Sequence, residues 1–142
     1  MNEYLFERIK VGDREGFSVK ITEDMEKRFR EITGDFNPLH SDDAFAREAW
    51  GGKFRQHVTF GMLTASFYST FAGVYMPGKY SLIHSIEDIK FKQPVYAGDT
   101  LTVSGVVEEK QEGLKLIAVK VKITNQDGGQ VSSARMKIIV MK

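Results

Sequence analysis

The second half of the chain alternates apolar and polar residues in four segments, a pattern typical of strands that bury one face of a sheet. A further alternating segment, residues 17–21, lies near the start of the chain. Turn-forming sequences rich in Gly, Asn and Asp separate the four later segments, which lie near residues 81–95, 99–110, 114–125 and 130–141. The pattern predicts an antiparallel sheet with one buried face.

A first helix is predicted directly after the first strand. Thr22 has the side chain of a helix N-cap, and the acidic residues that follow it suit the positive end of the helix dipole. The helix should end at about Thr33, because Gly34 is a typical C-terminal stop. Its expected buried face carries Met25, Phe29 and Ile32.

The most apolar part of the chain has no charged residue from Val58 to Gly78, a length that could cross a bilayer. It also contains several serine, threonine and glycine residues and a proline, and strand-like segments follow it. A helix that is apolar nearly all round is equally the pattern of a helix buried in a globular protein. We therefore expect a buried helix from Val58 to about Val74 and no membrane span.

A single apolar helix and an antiparallel sheet with one apolar face can bury each other if the sheet curls around the helix. The expected fold class is therefore α+β, with the antiparallel sheet wrapped around a long central helix in the hot-dog arrangement. We expect one domain over residues 1–142, since this length suits a single core and the chain shows no linker or internal repeat. The last strand ends at the chain terminus, and we expect a second subunit to cover one exposed sheet edge.

The composition excludes several classes of function. The 142 residues include 20 basic and 19 acidic side chains, and neither sign forms a long run, so binding to nucleic acid or to a membrane surface by bulk charge is not expected. The absence of cysteine removes disulfides and thiolate catalysis and fits a cytoplasmic location. Because the three histidines are not spaced as metal ligands, we expect no metal. We also expect no other cofactor.

One stretch has residues that could carry chemistry. Residues 35–40 read Asp-Phe-Asn-Pro-Leu-His and lie between the first helix and a short second helix expected near residues 44–50. The chain must bend at Asn37, because a residue before proline avoids helical dihedrals. Such a bend can aim the carboxylate of Asp35 and the imidazole of His40 at one point, where they could act as general base and acid in adding water to a polarised double bond. Each residue taken alone also has a structural interpretation, as part of a turn or a helix cap.

Three segments carry a resemblance to a known family. Residues 34–42 read Gly-Asp-Phe-Asn-Pro-Leu-His-Ser-Asp, residues 60–66 read Phe-Gly-Met-Leu-Thr-Ala-Ser, and residues 89–101 read Ile-Lys-Phe-Lys-Gln-Pro-Val-Tyr-Ala-Gly-Asp-Thr-Leu. They resemble the hydratase motif, the start of the central helix and the strand-and-turn signature of the MaoC-like, (R)-specific enoyl-CoA hydratases. The resemblance implies a homodimer, or a higher homo-oligomer, that reversibly hydrates trans-2-enoyl-CoA to (R)-3-hydroxyacyl-CoA.

The same resemblance implies roles for individual residues. Asp35 and His40 would activate the water and supply a proton to the substrate, and the backbone N–H of Gly61 would donate to the thioester oxygen. Asn37 would shape the turn or hold a catalytic partner. Ser66 matches the serine of the family's central helix and is a candidate for a residue that supports the reacting groups from behind.

Phe60 and Lys92 join Asn37 and Ser66 as candidates for substrate binding. The family usually has a histidine immediately before the helix glycine, where this chain has Phe60, with His57 three residues earlier. This departure concerns the polarity of the pocket and the choice of substrate more than the chemistry. Lys92 belongs to a group of basic residues that could meet the phosphates of coenzyme A, although a solvated strand face explains it equally well.

Other hot-dog functions remain as alternatives. An acyl-carrier-protein dehydratase and an acyl-CoA thioesterase usually place a catalytic acid on the central helix, but no Asp or Glu occurs between Val58 and Tyr80. A non-catalytic acyl-binding protein has no need of both Asp35 and His40. The position of the acid, five residues before a histidine, therefore favours a hydratase that acts on a thioester of coenzyme A or of an acyl carrier protein.

Overall fold

The computed structural model describes all residues from 1 to 142 and contains the helices and strands that the sequence predicts, with small differences in their bounds. The helices are α1 (Glu23–Thr33), α2 (Asp43–Glu48) and α3 (Gly61–Thr70), and α3 continues into a π-helical turn, Phe71–Tyr75. The strands are β1 (Arg14–Lys20), β2 (Ser81–Phe91), β3 (Thr100–Gln111), β4 (Leu116–Thr124) and β5 (Gln130–Val140).

Helix α1 begins and ends as its sequence predicts. Thr22 accepts a hydrogen bond from the Met25 amide at 3.1 Å, and Gly34 ends the helix in the left-handed region at φ 69°. The prediction for its buried face is wrong at Ile32, whose exposed fraction is 82%. The buried position is Glu26, at 2% exposure, because its carboxylate finds hydrogen-bond donors in residues 57–59.

The five strands form one antiparallel sheet in the order β1-β3-β4-β5-β2. The last strand, β5, pairs with both β4 and β2, so the sheet edge expected at the end of the chain is not there. The two edges are instead β1 and β2, because β2 returns antiparallel along β5 with Ser81 opposite Val140.

The inner face of the sheet packs against α3 and the turn that follows it, which defines the hot-dog fold. Twenty-one buried apolar residues form this core, and they include Phe71 of the turn, at 0% exposure. Tyr68 also lies at 0% exposure, and its hydroxyl donates to Ser132 Oγ of β5 at 2.8 Å. None of the helices combines the length and apolar character that a membrane crossing requires.

Two surfaces depart from the simple alternation that the sequence predicts. The first half of β4 is buried on both faces. Ala118 points away from the core, but it is paired with Glu109 of β3 on one side and Lys137 of β5 on the other, and both have long side chains. Conversely, one face of α3 is exposed and carries Met62, Ser66 and Ser69. The central helix is therefore covered by the sheet on one side only.

The close approach of sheet and helix explains the glycine at position 105. A Cβ atom there would lie 2.5 Å from Cζ of Phe71 and 3.0 Å from Cγ1 of Val119. We expect Gly105→Ala to lower the free energy of unfolding by about 1–3 kcal/mol through overpacking. The matched control is Gly113→Ala, where a Cβ meets nothing within 4 Å. Equal denaturation midpoints for the two variants would contradict this account of the core.

Candidate active site

Asp35, His40 and Gly61 line one cleft of about 320 Å³. They come from three different places in the chain: the loop after α1, the 3-10 turn Pro38–His40 before α2, and the first residue of α3. The other lining residues are largely apolar: Phe29, Thr33, Phe60, Met62 and Phe91. The cleft thus combines one acid, one imidazole and one helix N-terminus within an apolar wall.

Asp35 is exposed and is oriented by its own loop. One carboxylate oxygen, Oδ1, accepts from the amide of Asn37 at 3.1 Å, and the Asp35 amide donates to Thr33 Oγ1 at 3.3 Å. The other oxygen, Oδ2, makes no hydrogen bond within the protein. The carboxylate is therefore held in place by one oxygen, and the second has no partner within the protein.

The turn between Asp35 and His40 depends on Asn37. Its side-chain oxygen accepts from the Leu39 amide at 3.0 Å, which caps the 3-10 turn, and Pro38 occupies the first position of that turn. Asn37 does not line the cleft. In this structure its visible contribution is to the shape of the turn that carries His40.

The imidazole of His40 is fixed on both its edge and its face. Nδ1 lies 2.7 Å from the carbonyl oxygen of Val58, and the ring packs at 4.2 Å between centroids on Phe60. A carbonyl oxygen can only accept, so Nδ1 carries the hydrogen and Nε2 is the acceptor in the neutral ring. The Arg30 guanidinium adds a long hydrogen bond, 3.4 Å, to the carbonyl of His40.

Gly61 begins α3 with an amide that no protein acceptor uses. The first amides of a helix lack intrahelical partners and lie at the positive end of its dipole. The preceding residue, Phe60, offers no side-chain cap. A side chain at Gly61 would also crowd the cleft, since a Cβ there would lie 3.3 Å from the ring of Phe91.

The remaining candidates are placed differently. Phe60 lines the cleft and is 2% exposed, packed between His40 and Phe29. Ser66 and Lys92 do not line the cleft. Ser66 Oγ donates to the Leu63 carbonyl at 2.6 Å, and Lys92 Nζ donates to Gln130 Oε1 at 3.0 Å.

A second group of polar residues borders the site and was not assigned from the sequence. Buried Glu26 of α1 accepts from Thr59 Oγ1 at 2.9 Å and lies 3.0 Å from Nε2 of His57, whose Nδ1 is 2.6 Å from Asp43. A usable signal was present in the sequence, because Glu26 falls three residues before Phe29 on the apolar side of α1. The helix dipole alone explains an acid in the first turn of a helix, so the acidic side chain by itself does not indicate burial.

The fold and the cleft define a hot-dog protein with an acid, a histidine and a free helix amide around one pocket. Residues 10–128 match the family model for the MaoC like domain, and the chain belongs to this family. It is 32% identical over 120 residues to the (R)-specific enoyl-CoA hydratase of Aeromonas caviae, covering 84% of this chain and 87% of the relative.

Two further comparisons, one of sequences and one of structures, find relatives of the same kind. The (R)-specific enoyl-CoA hydratase of Rhodospirillum rubrum is 34% identical over 112 residues, which cover 76% of this chain and 75% of the relative. The solved structure of the (R)-hydratase from A. caviae involved in PHA biosynthesis superimposes with a TM-score of 0.86. That match has 28% identity and covers 94% of this chain and 98% of the neighbour.

Proposed function

We propose that this protein is a cytoplasmic enzyme that reversibly hydrates trans-2-enoyl-CoA to (R)-3-hydroxyacyl-CoA. The observation that carries the proposal is the convergence of Asp35, His40 and the free N–H of Gly61 on one cleft. The names of the relatives at 32% and 34% identity support the same reaction. No cofactor is needed, because an acid–base pair and one hydrogen-bond donor suffice for this addition.

Asp35 and His40 are proposed to hold and activate the water. Nε2 of His40 and the free oxygen of Asp35 are both acceptors, so each can take one hydrogen bond from the same molecule. As the water oxygen bonds to the β carbon, one O–H bond breaks and its proton passes to the pair. The electron pair of the double bond moves towards the thioester, and the pair then gives a proton to the α carbon. One proton is taken and one is returned, so the pair ends in its starting state.

The amide of Gly61 is proposed to stabilise the charge that develops on the thioester oxygen. That charge is largest in the enolate-like transition state, and a fixed donor at a helix N-terminus is already oriented towards it. Phe60, Met62 and Phe91 would surround the acyl chain with apolar surface. Asn37 would hold the turn that carries His40, and Ser66 would support the site from its position on α3. Lys92 would contact the coenzyme A end of the substrate.

The test is the loss of enoyl-thioester absorbance when the purified protein is mixed with crotonyl-CoA. The assay is repeated with longer acyl chains and with acyl-carrier-protein thioesters, which distinguishes the carrier and the chain length. We expect hydration of at least one of these thioesters. No absorbance change with any of them would reject the proposed function.

We further propose that residues 1–142 form one domain that works as a homodimer. The support is the unpaired edge strand β2, which contacts α3. Leu82 and Phe91 of β2 are 53% and 50% exposed, and Met62 of α3 is 60% exposed. An edge of this kind with exposed apolar side chains is suited to a second copy of the chain.

A charge on this surface should separate the dimer. We expect Ser69→Arg, on the exposed face of α3, to convert the protein from twice the chain mass to the chain mass in sedimentation or light scattering. Ser69 is exposed in a single chain, so the arginine should not disturb the fold. The control is Thr102→Arg, at an exposed position of interior strand β3. A dimer that survives Ser69→Arg would place the interface elsewhere.

A further inference from the structure

The polar group behind the cleft joins three separate elements through one imidazole, and it consists of Glu26, Asp43, His57 and Thr59. Glu26 belongs to α1 and Asp43 is the first residue of α2, whereas His57 and Thr59 lie in the segment before α3. Both ring nitrogens of His57 face carboxylates, at 2.6 Å to Asp43 and 3.0 Å to Glu26. The backbone amide of His57 also donates to Asp43, at 2.9 Å.

The contacts of His57 determine its charge. An ionised carboxylate can only accept, so each ring nitrogen that faces one must carry a hydrogen. With both carboxylates ionised, these contacts favour the imidazolium form of His57. The side chain of His57 is 13% exposed and that of Glu26 is 3% exposed, so the His57–Glu26 pair is largely shielded from water. The side chain of Asp43 is 48% exposed, so the His57–Asp43 pair lies at the surface.

The segment that His57 anchors is the one that orients the proposed reacting groups. Val58, the next residue, accepts from Nδ1 of His40 at 2.7 Å, and its amide donates to the Leu39 carbonyl at 2.9 Å. Thr59 donates through its amide to Val95 at 2.8 Å. Two residues further on is Gly61, which presents the free amide to the cleft.

The elements that the cluster ties together carry all three reacting groups. Helix α1 leads into the loop of Asp35, α2 follows the turn of His40, and the segment 57–59 leads into Gly61. We propose that Glu26, His57 and Asp43 are positioning residues that fix Asp35, His40 and Gly61 relative to one another. This inference rests on the proposed hydration, and it adds residues that do not touch the substrate.

The cluster also has a defined dependence on pH. Burial alone would lower the pKa of His57, but the hydrogen bonds to Asp43 and then Glu26 outweigh it and raise that pKa above its ordinary value of 6.5. The backbone amide and then the ring of His57 hold the pKa of Asp43 below its ordinary range, with Arg47 of α2 acting in the same direction. The raised pKa of His57 means that its contribution to stability is fully present below pH 6.5 and is lost as pH rises through the folded value. The lowered pKa of Asp43 means that the contribution of this carboxylate is lost as pH falls through its folded value.

The first experiment compares Glu26→Gln with Glu23→Gln. Both substitutions remove one negative charge from α1, but Glu23 is exposed and outside the cluster. We expect Glu26→Gln to lower kcat for enoyl-thioester hydration about tenfold or more, because small displacements of aligned groups are costly. KM should change less than about threefold, since the substrate contacts remain. Glu23→Gln should match the unaltered protein.

The second experiment follows the imidazole signals by nitrogen NMR, which does not depend on activity. The chain has three histidines, so His→Gln substitution of each in turn assigns the signals. In the unaltered protein we expect the His40 signals to show an inflection at the pH where His57 loses its proton. In Glu26→Gln, His40 should no longer be fixed as the Nδ1–H tautomer. In His84→Gln, a control at an exposed position, His40 should remain the Nδ1–H tautomer.

The outcomes separate this inference from the proposed function. Unchanged kcat and unchanged His40 signals in Glu26→Gln would overturn the positioning role while leaving the hydratase in place. An unaltered protein that hydrates no thioester would reject the proposed function, and the His40 signals would still decide the positioning role. If Glu26→Gln did not fold, the titration of the unaltered protein would decide, because a His40 signal without the inflection overturns the inference.

Discussion

Replacement of His40 by alanine is expected to lower the rate of enoyl-CoA hydration by at least about a hundredfold, the lower range for loss of an acid–base group. Asp35→Asn should have an effect of the same order, because it removes the charge that takes up the proton and keeps the shape. Both side chains lie at the cleft and outside the apolar core, so both variants should fold. Steady-state rates with crotonyl-CoA measure the effect, and circular dichroism checks the fold.

A double variant tests whether Asp35 and His40 act on the same water. Two groups that act on the same water should not be additive, so Asp35→Asn combined with His40→Ala should be little slower than the slower single variant. His84→Ala serves as control, since His84 is an exposed residue of β2. Near-normal rates in both single variants would contradict the assignment of the pair.

Substitution of Gly61 by proline is expected to lower kcat by about 100- to 1,000-fold, the usual effect of removing one oxyanion donor. Proline is well suited to the first position of a helix, where its missing N–H has no intrahelical partner to lose. The backbone before it is also suitable, because Phe60 has φ −54° and ψ 127°, close to the region that residues before proline prefer. The variant should therefore remove the donor and keep α3.

The matched control for the proline variant is Gly61→Ala. It introduces the same Cβ, 3.3 Å from the ring of Phe91, but keeps the N–H. We expect the kcat of Gly61→Ala to stay within about tenfold of that of the unaltered protein, and the kcat of Gly61→Pro to fall further. Equal losses in the two variants would mean that crowding by Phe91, and not the missing donor, sets the rate.

Local signals account for most of the fold that the sequence predicts. The cap at Thr22 and the stop at Gly34 set α1 correctly because their hydrogen bonds involve neighbouring residues. The charge-free segment predicts a helix that begins at Val58, three residues before α3 begins at Gly61, because a continuous apolar run does not distinguish a helix from an extended segment. The amides of Val58 and Thr59 donate to Leu39 and Val95, and these distant contacts hold the segment outside the helix.

The same distinction applies to the candidate site. The bend at Pro38 and the spacing of Asp35 and His40 lie within six residues, so their joint position at one cleft could be predicted. The acceptor that sets the His40 tautomer is 18 residues away, and Glu26 is 31 residues from His57. Such pairs have no local pattern, and an acid in the first turn of a helix already has a sufficient explanation in the dipole.

The decisive measurement is the configuration of the hydration product. Purified protein is incubated with crotonyl-CoA, and the 3-hydroxybutyryl-CoA that forms is separated by chirality. We expect the unaltered protein to form the (R) product, and we expect His40→Ala to form it at least about a hundredfold more slowly. Formation of the (S) product, or of (R) product at an equal rate in His40→Ala, would contradict the account.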